Sequence, residues 1–277
     1  MAEKKQLTDA QIKAQVLARS QQKAPENLFP TEVVPLPSKG LVYPKDNPLS
    51  TGQVEIRYMT AKDEDILTNQ NYLKRGVALD KLYHSVIVGN GNGEAIDVND
   101  MISGDKSAVM LATRILGYGP DYQITVTKPD GKTFQHTVDL NSLNPKEIDE
   151  SLYNNSREFD YTLPISKIVV RFKLTTDVET KAIQREISQA EKSGLQPSSI
   201  TTQFKHTIVS VDGNDDKKFI NNFINQSLLA RDSLSLRNYV VDVTPDYNLM
   251  IHIDSPENGF DDEIRLPIDV NFFWPRA

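Results

Sequence analysis

Pro120-Asp121-Tyr122-Gln123-Ile124-Thr125-Val126-Thr127 and Pro245-Asp246-Tyr247-Asn248-Leu249-Met250-Ile251-His252-Ile253 open on the same tripeptide, and each runs on into alternating apolar and polar residues. The first meets a turn at Pro129-Asp130-Gly131 and returns over Thr133 to Leu140. The second turns at Pro256-Glu257-Asn258-Gly259 and returns over Glu263 to Ile268. A period of two, bounded by Pro, Asp and Gly, is the pattern of a β-hairpin with one buried face. Two hairpins are therefore expected, at corresponding places in two halves of the chain.

Upstream of each hairpin the layout repeats. Ile102-Ser103-Gly104-Asp105 opens helical sequence containing Met110, Leu111, Ile115 and Leu116; Ala230-Arg231-Asp232-Ser233 opens another containing Leu234, Leu236, Tyr239 and Val240. Before these lie the turns Gly89-Asn90-Gly91-Asn92-Gly93 and Asp212-Gly213-Asn214, each preceded by helical sequence. Earlier still, the strand Val54 to Thr60 is followed by Asp63-Glu64-Asp65, and the strand Ile168 to Thr175 by Asp177 and Glu179. Acidic side chains there suit the partial positive charge of a helix N-terminus. The shared order, at an interval of about 115 to 125 residues, predicts a duplication of one domain-length unit. The expected fold is α+β: two tandem diverged repeats, each a small helical bundle with a β-hairpin. The expected organisation is an N-terminal helix and flexible tail over 1–35, a first repeat over 36–150, a linker over 151–167, and a second repeat with an aromatic C-terminus over 168–277.

The N-terminal region reads differently. Thr8-Asp9-Ala10-Gln11 begins a short helix to Lys23 whose apolar stripe is Ile12, Val16 and Leu17. A stripe that narrow fits either a frayed terminal tail or an arm that folds on a partner. Between Pro25 and Pro48 recurrent prolines exclude a helix or a central strand and predict an extended strap that ties down the first strand.

Composition narrows the chemistry. The chain has 277 residues, 38% of them hydrophobic, and no cysteine. Disulfides, thiolate zinc sites and cysteine nucleophiles are thereby excluded. A formal charge of -7 argues against nonspecific nucleic-acid binding, which draws affinity from Lys and Arg. No stretch has the apolar length of a membrane span, and Met1 to Lys13 lacks a signal-peptide core, so no membrane or export role is expected. The Gly89 to Gly93 stretch lacks the residues of a phosphate-binding loop and reads as a turn. His84, His136, His206 and His252 form no ligand pair by spacing, the acidic clusters suit caps and turns, and no serine sits in a nucleophile motif. No catalytic, cofactor or metal residue is nominated. The C-terminal Phe272-Phe273-Trp274-Pro275 carries the only tryptophan; its rings suit either closure of the second core or a partner-docking plug. The candidate partner-binding residues are Phe272, Phe273, Trp274 and Pro275, with Ile12, Val16 and Leu17.

Leu36-Pro37-Ser38-Lys39-Gly40-Leu41-Val42-Tyr43-Pro44, then Met59-Thr60 with Asp63-Glu64-Asp65-Ile66-Leu67, Gly104-Asp105-Lys106, Arg231-Asp232-Ser233 and Asn271-Phe272-Phe273-Trp274-Pro275 stand in an order that resembles the T4-like phage baseplate hub assembly family. The resemblance runs from about Leu36 to Pro275. It implies a non-enzymatic protein that helps to build the hub of a contractile-tail baseplate by binding hub or tape-measure proteins in the host cytoplasm. The alternatives are a permanent part of the virion hub or a nucleic-acid-binding module derived from zinc ribbons. It also implies zinc-ribbon-like hairpins carrying CxxC pairs. Here Lys128-Pro129-Asp130-Gly131 and Asp254 to Gly259 keep the turn residues and lack every cysteine, so cysteine-free hairpins without zinc are expected.

Overall fold

The computed structural model describes residues 29–196, 198–268 and 270–273, omitting the side chains of Val270 and Asn271. Met1–Pro30 is one unit and Thr31–Ala277 the other; the second carries every helix and strand among the described residues. It is mixed α+β, with eight α-helices and four small antiparallel sheets among those residues.

The first half begins with β1 (Thr31–Pro35) and β2 (Gln53–Arg57), which pair antiparallel from Thr31 opposite Arg57 to Pro35 opposite Gln53. Pro35 is tolerated because β1 is an edge strand. Helices α1 (Ala61–Thr68), α2 (Gln70–Lys74) and α3 (Ala78–Val86) then lead to β3 (Ile87–Gly89), which completes the sheet in the order β1-β2-β3. Helix α4 (Ser103–Tyr118) follows, and then the hairpin β4 (Asp121–Thr127) and β5 (Thr133–Asp139). In β4 the apolar Tyr122, Ile124 and Val126 are buried and the residues between them exposed, as the alternation predicts.

The second half also runs from a pair of strands through helices, a third strand and a long helix to a hairpin, but with two helices instead of three before its third strand and an extra short helix after it. Strands β6 (Glu158–Thr162) and β7 (Val169–Lys173) are followed by α5 (Asp177–Lys192) and α6 (Ser199–Thr207), then by β8 (Ile208–Val211). The sheet order is β6-β7-β8. After α7 (Lys217–Asn222) come α8 (Ala230–Val243) and the hairpin β9 (Met250–Ser255) with β10 (Phe260–Arg265). The middle strand of each sheet slips register against its third strand, between Glu55 and Ile56 in one and Arg171 and Phe172 in the other.

Two sequence readings change. The stretch 151–167, expected to be a linker, carries β6, because Phe159 and Tyr161 alternate with Glu158, Asp160 and Thr162 and turn their rings inward. The shared Pro-Asp-Tyr tripeptides do not occupy matching places. At the open end of the first hairpin, away from its turn, Leu140 N–H donates to Pro120 O, at 2.9 Å; at that of the second Leu266 N–H donates to Leu249 O, at 2.8 Å. Pro245-Asp246-Tyr247 therefore precedes its hairpin instead of opening it.

A better match lies in the loops that join the first two strands of each sheet. Leu36-Pro37-Ser38-Lys39 and Leu163-Pro164-Ile165-Ser166-Lys167 place their lysines at φ 51° and 62°, in the left-handed region that few non-glycine residues enter. The interval from Leu36 to Leu163 is also that from Asp105 to Asp232, near the starts of α4 and α8. Each of these aspartates is fully buried and accepts backbone N–H groups from its own loop: Ser38 N at 3.0 Å on Asp105, Ile165 N at 2.8 Å and Ser166 N at 3.0 Å on Asp232.

The halves pack into one core. Residues 144–146 pair with 246–248 through Lys146 N to Asp246 O (2.7 Å) and Asn248 N to Asn144 O (3.0 Å). Lys106 pairs with Asp177, and Lys181 lies 3.2 Å from Asp80. The two hairpins meet through Phe134 and Phe260, whose ring centres are 5.5 Å apart, and Tyr122 donates its hydroxyl to Pro267 O at 2.8 Å.

Candidate docking surfaces

The carboxylates that look most chemical are buried in polar nodes that hold helices to strands. Asp63, the third residue of α1, accepts Thr60 N–H at 2.8 Å, closing a capping box, and accepts Arg57 through both terminal nitrogens at 2.8 and 2.9 Å. Glu179 holds the same place in α5, with Thr176 N at 3.0 Å, Arg157 at 2.9 and 3.1 Å and Lys173 Nζ at 2.7 Å. Burial opposes ionisation of both, but the guanidinium groups, hydroxyls and amides around them prevail and hold both carboxyls well below the usual carboxylate range. Asp105 differs. Ser38 N, Ser38 Oγ (2.7 Å) and Tyr43 OH (2.6 Å) donate to it, yet no cation among the described residues pairs with it and burial raises its pKa.

These environments give the pH dependence its sign. Asp63 and Glu179, with depressed folded pKa values, stabilise the fold fully above their unfolded values of about 4 and lose that contribution as pH falls toward their folded values. Asp105 works oppositely, costing stability while ionised. Unfolding free energy measured by denaturant is therefore expected to fall steadily below about pH 4, and the Asp63→Asn, Glu179→Gln double variant is expected to flatten that slope.

The partner-binding residues that the sequence suggests separate into two groups. Phe272 and Phe273 are buried; Phe272 packs edge-on against Tyr122 at 5.1 Å, and its carbonyl accepts Arg114 Nε at 2.6 Å. The rings are thus buried as the core-closing reading of the C-terminus expects, but against Arg114 and Tyr122 of the first half and not the second core that the sequence suggests. Trp274, Pro275, Ile12, Val16 and Leu17 lie outside the described residues. Among the described residues no three metal-capable side chains come together, and no helix is long and apolar enough to cross a membrane. His206 faces Glu186 at 2.9 Å and His252 faces Asp261 at 3.2 Å, each alone.

What the fold leaves open is apolar. On α8, Leu234 and Val241 are 51% and 68% exposed, two turns apart on one face. Val241 also borders a groove of about 440 Å³ walled by Leu174, Phe204, Arg237 and Val240. At the interval from Leu36 to Leu163, Val241 falls on Arg114 of α4, which is fully buried under the C-terminal segment and bonded to the carbonyls of Gly119 and Asp121 as well as Phe272. The same side of the two helices is thus covered in the first half and open in the second. A second groove, of about 270 Å³, lies between β1 and α4, walled by Val34, Ala108, Leu111, Ala112 and Leu143. Sequence reasoning nominated neither groove: Leu234 enters it only as one of the apolar residues of the helix, and Val241 is not singled out there.

Comparison with known protein families, with curated proteins and with solved structures returned no match to this chain.

Proposed function

We propose that the chain is a non-enzymatic assembly protein of the T4-like baseplate hub type, which binds hub or tape-measure proteins and chaperones their assembly in the host cytoplasm. The observation that carries the protein-binding reading is the uncovered apolar face of α8, since paired exposed aliphatic side chains beside a groove mark an interaction surface. The ordered motifs from Leu36 to Pro275 supply the particular family. Permanent residence in the virion hub is the alternative within this reading.

On the same reading the two halves descend from one duplicated unit: their sheets share an order, their loops share Leu-Pro and a left-handed lysine, and Asp105 and Asp232 receive those loops alike. The hairpins stand in for zinc-ribbon knuckles. In the place of metal, Gly131 N donates to Lys128 O at 2.9 Å within the turn, and Lys128 Nζ donates to Asn258 O at 2.9 Å across to the other hairpin.

The test is co-expression with the hub and tape-measure proteins encoded beside this chain, followed by affinity capture. A stable complex is expected with the native chain and at least a tenfold loss of capture with Leu234→Ser, Val241→Ser, whose exposed positions leave folding intact by circular dichroism. Undiminished capture with that variant removes α8 as the docking face, and no complex with the native chain removes the hub assignment.

A further inference from the structure

The groove beside β1 has an internal standard for what fits it. At the interval that relates Leu36 to Leu163, the positions of Glu32, Val34, Ala108 and Ala112 correspond to Phe159, Tyr161, Ser235 and Tyr239. In the second half these residues fill the space between edge strand and helix. Tyr161 stacks on Tyr239 at 4.4 Å and 20°, its hydroxyl lies 2.6 Å from Ser235 Oγ, and Phe159 packs on Phe172 at 5.8 Å. The first half replaces three rings by one carboxylate, one valine and one alanine, and the groove is the volume they leave. A cavity of roughly 150 Å³ takes a benzene ring, so about 270 Å³ takes an aromatic side chain with its linking atoms.

The wall that carries this groove is also a free strand edge. Leu36 N–H donates to Gly52 O at 2.9 Å, and antiparallel alternation then turns the backbone groups of Val34 and Glu32 toward β2 and those of Val33 and Thr31 away from it. Nothing among the described strands pairs with that outer side, and the groove is lined by the consecutive residues Glu32 to Pro35 along it. Exposed strand edges bind extended peptides by adding a strand, with pockets for alternate side chains giving specificity. Glu32 is the sole charged residue of the lining, is exposed, and makes no ion pair with a described residue.

We infer that β1 and its groove form a second docking site, separate from the α8 face, for an extended segment of the protein partner that carries an aromatic side chain and, two residues from it on the same face, a lysine or arginine. The segment adds to the sheet at β1, its ring occupies the place that Tyr161 and Tyr239 fill in the other half, and its cation meets Glu32. This rests on the protein-binding reading above and specifies one of its contacts.

The probe is a capped seven-residue peptide of threonine and valine in which a lysine and a tryptophan stand two residues apart, titrated into the full chain with tryptophan fluorescence as the readout. Saturable binding is expected. It should weaken at least tenfold in Val34→Tyr, Ala112→Tyr, which rebuilds the ring pair of the second half. Glu32→Lys, at an exposed position where folding is not at risk, should weaken the lysine peptide several-fold and leave a glutamine–tryptophan peptide unchanged or tighter. Absence of saturable binding, or equal binding by native chain and both variants, overturns the inference. So does a concentration-dependent dimer of the native chain that Ala112→Tyr abolishes, which would assign the groove to a second copy. Capture of the hub partner through α8 with no peptide binding removes this site alone; peptide binding with no hub partner removes the hub assignment alone.

Discussion

Asp63→Ala is expected to cost about 3 to 5 kcal/mol of unfolding free energy, because it removes one member of a largely buried, doubly hydrogen-bonded ion pair. The side chain of Asp63 is fully buried and that of Arg57 is 15% exposed, and the pair is joined by two hydrogen bonds. The same carboxylate accepts Ser85 Oγ at 2.6 Å and caps α1 through Thr60, so its loss also loosens α1 from α3. Removing both charges together should be far less damaging: Arg57→Met, Asp63→Leu is expected to recover much of the loss, since an apolar pair of similar volume avoids the desolvation cost. Urea unfolding of the two variants checks the difference. Equal destabilisation by the single and double variants would mean that packing of Asp63, and not its charge, holds this corner.

Gly104→Ala is the second large effect. A Cβ at this position would lie 1.8 Å from Pro245 O and 2.8 Å from Asp246 Cα. Those are backbone atoms of the segment pinned to Asn144 and Lys146, so they cannot rotate aside as a side chain end would. Forced repacking of this kind costs about 3 kcal/mol at the upper end of its usual range. Alanine would return roughly 1 kcal/mol of helix propensity at most, and the clash therefore decides the sign. At the interval from Leu36 to Leu163, Gly104 falls on Arg231, which is exposed, and Arg231→Ala is expected to change stability by no more than about 0.5 kcal/mol. The contrast between the two variants measures directly how closely the second half presses on the first.

Much of this fold is legible in the sequence because local chemistry decides it. Val54 to Arg57 alternates and pairs as β2, Asp63 and Glu179 cap their helices as acidic residues at those positions suggest, and the turns at Asp130-Gly131 and Asn258-Gly259 close two hairpins. The failures have a common cause, which is that partners distant in sequence settle them. Asp246 and Tyr247 look equivalent to Asp121 and Tyr122 by identity, but residues 246–248 are drawn off to pair with 144–146, and Tyr247 ends against the β1 groove. The loop match is hidden by one inserted residue, Ile165, between Pro164 and Ser166. β6 sits in polar sequence that reads as a linker, and only the meeting of Phe159 with Tyr153 and Phe172 turns it into a core strand.

The candidate surfaces were less legible than the fold. The rings of Phe272 and Phe273, conspicuous in sequence, are spent on covering Arg114 and Tyr122. The open sites arise from what is missing: no ring at Val34 and Ala112, and no cover over Val241. Absences of that kind become visible only when the two halves are laid on each other, and helical sequence groups Leu234 with Leu236, Tyr239 and Val240 without revealing that it stays exposed.

On the proposed reading the chain is encoded by a contractile-tailed phage, and deleting its coding sequence there, with electron microscopy of the tail structures that accumulate in infected cells, tests the proposed role most directly. A protein that assembles the hub predicts tails or baseplates arrested without a central hub, restored when the chain is supplied in trans. Complete contractile tails in normal number without it would contradict that role.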